Sequence, residues 1–362
     1  MLSSIQSFNP DWLSPPGDSI NDLLEQRQIS LIEFARKLGE DSLRTAMLID
    51  GSREIDQETA STLEKSLGMH ESFWLRREAS YRAEVKRLFP ADDLEAAKNW
   101  VGELPIRDMI QLGWIKPECG VSEMAAQCLR FFAVHNVEHW KYRYQEVLGM
   151  SAFRASPSFT SSDASLAAWL RGGEIEARQI ACKPWDAARF SDALLAIRGL
   201  TRLADPSDFL PQLRDFCAAC GVAAVIARAP DGCRASGATR LLSNNKAMLL
   251  LSFRYLSDDH FWFTFFHEAG HLLLHRGTRL FVESGDVGKS QDEREANNFA
   301  ESMLFPQQFK TQLDETPLNV FSIARIAKHI GVSKGLVVGY LQHNGKIPRN
   351  HFNNLKVRYT WQ

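Results

Sequence analysis

The sequence predicts an α+β protein that is mainly helical: a helix-turn-helix bundle, a helical middle region, and a domain with a small sheet and one long histidine-bearing helix. Three observations lead there. Short apolar-periodic segments with capping residues fill positions 15–88, and three apolar runs parted by turn residues lie between 222 and 253. Residues 263–275, Phe-Thr-Phe-Phe-His-Glu-Ala-Gly-His-Leu-Leu-Leu-His, then form a helical run without proline.

Length and composition set the frame. A chain of 362 residues suggests two or three domains, and 44% hydrophobic with 24% charged residues lets each build a core. A net charge of −2 excludes a protein coated with positive charge for nucleic acid, while leaving local patches open. The start, Met1-Leu2-Ser3-Ser4-Ile5-Gln6, has neither a basic nor an apolar run, and no stretch reaches spanning length, so the expectation is a cytoplasmic protein with no membrane partner. Six cysteines are too few for a disulfide framework in a chain of this size. Cys217 and Cys220 form a C-x-x-C at a helix C-terminus, which disfavours a thiolate, and packing is the better reading.

After a tail at 1–14, the region 15–88 reads as short helices at 18–28, 30–38, 41–50 and 56–67. Ser30 with Glu33 makes a capping box, and Asp41 and Asp56 serve as caps. The strings PPGDSINDLLEQRQISLIEFARKLG and SREIDQETASTLEKSLGMHESFWLRREASY resemble the Xre-type DNA-binding domain of HigA-like antitoxins. That resemblance implies that the helix at 41–50 enters the major groove, which makes Ser42, Arg44 and Thr45 the candidate DNA contacts. The segment departs from the pattern: Glu40 and Thr45 stand at places usually apolar, and residues 18–87 hold 11 Lys+Arg against 14 Asp+Glu. Phosphate binding needs positive charge, so a protein-interaction or dimerisation module, including a homodimer, is the competing expectation.

Residues 89–204 read as a helical spacer with breaks at Pro105, at 117–120 and in the Ser-rich stretch 156–162. His135-Asn136-Val137-Glu138-His139 has the inverted zinc pattern, but it lies in what reads as one amphipathic helix, 128–144, and no acidic helix follows it. It is treated as chance. Further on, Gly221, Pro230-Asp231-Gly232 and Ser243-Asn244-Asn245 part three strands, of which 235–242 is the candidate edge strand for a peptide substrate.

The chemistry sits at 267–271. On a helix, His267 and His271 lie at i and i+4 on one face, with Glu268 beside them. This is H-E-x-x-H, in which imidazole nitrogens hold zinc and the glutamate is the general base. A catalytic zinc needs a third protein ligand, and the next helical segment, from Asp292, carries Glu295 near its start. His275 stands about 12 Å along the axis from His267, too far to share one ion; it reads as a helix-end residue.

HEAGHLLLH followed by EREANNFAESMLFP resembles the ImmA/IrrE family of metallopeptidases, whose pattern is H-E-x-x-H followed by E-A-N-x-F-A-x-x-L-L-x-P. The resemblance covers roughly 205–345. It implies zinc held by His267, His271 and Glu295, with Glu293 as the fallback ligand, and Glu268 as the base. It also implies a zinc-dependent endopeptidase acting on a protein substrate, a transcriptional repressor or related regulator. The alternative is a DNA-binding regulator or antitoxin of a toxin-antitoxin pair, whose zinc domain is a non-catalytic sensor or platform. Tyr255, His260 and Arg254 are candidates for stabilising the transition state. With the peptidase domain at 205–313, the segment 314–362 remains; from 317 it holds seven Lys+Arg and no acidic residue. Its cadence also suits a helix-turn-helix, so it is expected either to cover the active site or to meet DNA or an acidic substrate.

Overall fold

In a computed structural model the described residues are 14–27, 29–88, 94–117, 120–144, 161–243, 245–275, 280–284, 290–306, 313 and 317–361. The Ser-rich stretch at 156–160 and Arg276-Gly277 lie outside them, as does most of the tail. Of the described residues 63% are helical, and the strands among them form a mixed four-stranded sheet.

The N-terminal bundle consists of α1 (Pro16–Gln26), α2 (Leu31–Leu38), α3 (Ser42–Ile49), α4 (Gln57–Leu67) and α5 (Glu71–Leu88). Local chemistry sets its boundaries. Ser30 and Glu33 close a capping box, while Asp41 accepts from the Arg44 N–H and Asp56 from the Thr59 N–H. Gly39 ends α2 in the left-handed region, at φ 69°. Ile20, Phe34, Leu48, Leu63 and Trp74 fill the core between the helices.

The middle region holds α6 (Leu94–Glu103), α7 (Ile106–Gln111), α8 (Val121–Phe132), α9 (Val137–Arg143) and α10 (Ser161–Gln179). The single helix expected over 128–144 is broken: Ala133 takes φ 54°, and Asn136 caps a new helix by accepting from the His139 N–H. The break puts His135 against the Tyr81 hydroxyl at 3.2 Å and stacks its ring on His139. Burial pushes both imidazoles down, to about 4 and about 3. These are neutral packing histidines.

Two helices, α11 (Ala187–Leu200) and α12 (Pro206–Ala218), lead into β1 (Val222–Ile226), β2 (Ala235–Ser243) and β3 (Lys246–Leu251). Burial pushes the Cys217 and Cys220 thiols up, which keeps them protonated. Next come α13 (Asp258–Leu274), β4 (Phe281–Ser284), α14 (Gln291–Leu304), α15 (Val320–Ile330) and α16 (Lys334–His343). The sheet order is β1-β3-β2-β4, with β1 parallel to β3 and the other pairs antiparallel. The expected edge strand, β2, is therefore internal, and β4, too short to be seen in the sequence, covers it.

Both faces of the sheet are buried. Val222, Ala224, Leu249 and Leu251 pack with α12, α13, α15 and α16, while Ala223, Val225, Met248 and Leu250 pack with the middle helices. Alternation along each strand thus feeds two cores. The C-terminal end straps the start of α13: Lys356 Nζ meets Asp259 Oδ2 at 2.6 Å, and the Val357 N–H donates to Asp258 Oδ1. One of the seven expected surface cations is spent in that buried pair.

Candidate metal centre

Helix α13 brings the two histidines together as the i, i+4 spacing requires: His267 Nε2 and His271 Nε2 are 3.0 Å apart, and each residue is 1% exposed. The third group comes from α14. Glu293 carboxylate oxygens lie 3.3 Å from each Nε2, and among the described residues His267, His271 and Glu293 are the group that can hold a metal. Glu295 does not join them. Its carboxylate takes His275 Nε2 at 3.2 Å and the Gln291 amide at 2.8 Å.

The helix explains the difference. Residues 293 and 295 are about 200° apart around α14, so they cannot face the same partner. Ala296, Ala300 and Leu304 are buried, and Glu293 lies one turn before Ala296 on that stripe. Contact with α13 is close there: a Cβ on Gly270 would stand 3.2 Å from Ala296 Cα. Asn297, one turn after Glu293, reaches His267 Nδ1 at 3.1 Å. The segment Glu293-x-x-Ala296-Asn297 thus supplies a carboxylate, a close crossing and a partner for the imidazole.

The outer bonds fit a metal. With its Nδ1–H donating to Asn297 Oδ1, His267 keeps the Nε2 lone pair free for an ion. His271 Nδ1 meets His275 Nδ1 at 3.1 Å, and His275 Nε2 in turn meets Glu295. This network is satisfied with every imidazole neutral: His271 donates to His275, which donates to Glu295. Burial pushes His271 below its ordinary range against the pull of Glu293. Burial also works to raise Glu293, but the two imidazoles it faces oppose this and hold it at about 2. Two neutral imidazoles and one ionised carboxylate are a His2Glu donor set. Tetrahedral zinc, with Zn–N of about 2.0–2.1 Å, needs its nitrogens about 3.3 Å apart, a few tenths more than the spacing here. Phe281 of β4 stacks on the His271 ring at 4.3 Å and fixes its plane.

Glu268 is fully buried against β2, where a Cβ on Gly237 would come within 2.6 Å of its Oε1. Glycine is what lets the carboxylate approach the strand. Next to His267, Glu293 and Asn297 lies a cavity of about 620 Å³, whose far wall is Leu336, Gly339 and Tyr340 of α16. Tyr255 and His260 line it too, their rings stacked at 4.3 Å. His260 stands seven residues before His267, on the same helix face, and burial lowers its pKa so that it is a neutral donor. The Arg254 guanidinium lies over the Tyr255 ring at 5.2 Å.

The candidate DNA contacts are not gathered into a surface. Arg44 is exposed, but Thr45 is fully buried with its hydroxyl donating to the Asp41 carbonyl. The Ser42 side chain lies outside the described residues. Helix α3 packs on α10, and its C-cap Asp50 is joined to Arg171 at 2.6 Å. The sequence reading missed this junction, along with Asn297, Gly237 and the His275–Glu295 pair. Only the N in the family's E-A-N pattern carried a signal for any of them.

No curated protein matches the chain. Residues 234–339 match the family model described as Peptidase_M78, IrrE N-terminal-like domain, which runs from the start of β2 into α16 and contains every residue of the metal centre. The match supports a place for this part of the chain with the ImmA/IrrE family and, in general terms, a metallopeptidase type of activity.

Proposed function

We propose that the protein is a zinc-dependent endopeptidase whose metal is held by His267, His271 and Glu293. One observation carries this reading: two buried imidazole nitrogens and a carboxylate converge at 3.0–3.3 Å. Bound zinc would lower the pKa of a coordinated water and polarise the scissile carbonyl. Asn297 and His275 hold the two imidazoles as Nδ1–H donors. Glu268, the carboxylate next to His267 in sequence, takes the proton from the attacking water and delivers it to the leaving amine. In this reading His260 and Tyr255, which line the cavity, donate to the developing oxyanion. The 620 Å³ cavity is of a size to enclose several substrate atoms on either side of the cut, so the substrate is read as a protein segment in extended form. Its source, by the resemblance of 205–345 to ImmA/IrrE peptidases, is a transcriptional repressor or related regulator.

The test is elemental analysis of wild type beside His271→Ala and Glu293→Ala, with Glu268→Gln assayed for cleavage of the co-expressed regulator. About one zinc per chain, lost in both ligand variants and retained in Glu268→Gln without cleavage, is the expected result. A wild type that takes up no zinc after incubation with the metal overturns the reading.

A further inference from the structure

Positive charge outnumbers negative where the N-terminal bundle meets α10 and the β2–β3 hairpin. Arg171 bonds to Asp50 at 2.6 Å and to Glu174 at 3.5 Å, and Arg240 takes the second Glu174 oxygen at 3.1 Å. These two carboxylates are bonded to two guanidiniums; Arg178, two turns beyond Arg171 on α10, bonds to neither and is stabilised by them only through space. Its Nε is shielded from solvent and has no hydrogen-bond partner among the described residues. The neighbouring Lys246 ammonium reaches two backbone carbonyls, Ile180 O at 2.6 Å and Arg178 O at 3.4 Å, in place of a carboxylate. Burial lowers the pKa of both groups, so their charge is desolvated. Cations held this way need a counter-charge.

The place for one is open beside them. A cavity of about 160 Å³ is walled by Leu24, Ile32 and Ile49 of the bundle, by Leu242 of β2, and by Arg178 and Lys246. Its charged lining is Arg178, Lys183 and Lys246 against Glu25. The volume is below the 300–1,000 Å³ typical of drug-sized ligands, which limits an occupant to a few atoms beyond its head group. An inorganic ion would leave the leucine and isoleucine walls uncovered.

We propose that this cavity binds a small organic anion, a carboxylate on a short apolar body. Arg178 and Lys246 hold its head, and the bundle and the β2–β3 hairpin close on its chain. Because the ligand touches both, it favours the arrangement in which α3 is packed on α10.

Hexanoate is the probe, with 1-hexanol and inorganic phosphate at matched ionic strength as controls, read by thermal unfolding of the full chain and by saturation-transfer NMR on the hexanoate protons. Hexanoate should raise Tm saturably while neither control does. Arg178→Met should weaken hexanoate at least about tenfold. Lys246→Met gives the same comparison if Arg178→Met does not fold. No saturable hexanoate effect on wild type overturns the proposal, as does a hexanoate response unchanged in both variants. A phosphate shift equal to that of hexanoate overturns the apolar part of the assignment.

Discussion

At the scale of the residue, the two carboxylates two positions apart on α14 make different predictions. Glu293→Gln removes a group that meets both histidines, whereas Glu295→Gln touches only the pair behind His271. An outer partner of a metal-bound histidine is worth about 10–100-fold in metal affinity. Competition titration with a zinc-sensitive dye should therefore show a larger loss for Glu293→Gln than that range, and a loss within it for His275→Ala. A larger loss for Glu295→Gln than for Glu293→Gln would show that α14 turns its other face to the metal. The histidines were legible in the sequence because their pairing is local, four residues on one helix. Glu293 and Glu295 were not separable there, because choosing between them needs the face of α14 that packs on Gly270. The buried stripe of Ala296, Ala300 and Leu304 was present in the sequence, and extending it back one turn leads to Glu293.

At the scale of the element, β2 and α13 fit because position 237 has no side chain. Gly237→Ala would put a carbon 2.6 Å from Glu268 Oε1 and 2.7 Å from Thr264 Cγ2, and overpacking of this kind costs about 1–3 kcal/mol. Urea denaturation should show that loss, together with peptidase activity reduced beyond any change in zinc content. The start of α13 gives a pH-dependent prediction. Burial, with Asp259 adding to it and the Ser333 hydroxyl opposing, raises Asp258 to about 6. Its unfolded value is near 3.9, so between pH 4 and 6 the folded chain keeps a proton that the unfolded chain releases, and stability falls as pH rises. Asp258→Asn removes this dependence. Its stability relative to wild type should climb from pH 4 to pH 8 by on the order of 2–3 kcal/mol; identical pH profiles would mean that the carboxyl is not held protonated. The strands β1, β2 and β3 were readable as apolar runs between turns, yet their order was not. Pairing is long-range, and the four residues of β4 carry no periodicity to announce the strand that covers β2.

At the scale of the whole molecule, the N-terminal bundle is docked on α10 through the helix that the sequence offers as a reader of DNA. Nothing in the local pattern of 41–50 could reveal this, since Asp50 meets its partner 121 positions away. A capped, partly apolar helix looks the same whether its apolar face meets DNA-domain helices alone or α10 as well. The pair Arg171–Asp50 is 3% and 2% exposed, and removing one partner of such a pair costs about 3–5 kcal/mol, because the other charge is left buried. Asp50→Ala should therefore destabilise the chain by that amount, and the double variant Asp50→Ala/Arg171→Met should recover part of it. Local opening should follow, with amide hydrogen exchange in α3 and along α10 rising more than in β1 and β3. If α3 reads DNA at all, it must first leave α10, and Asp50→Ala should then bind operator DNA more tightly than wild type in a gel-shift titration. Exchange confined to the global unfolding rate, with α3 no faster than the sheet, would show instead that bundle and peptidase domain open only together, and that the bundle is a fixed part of the peptidase.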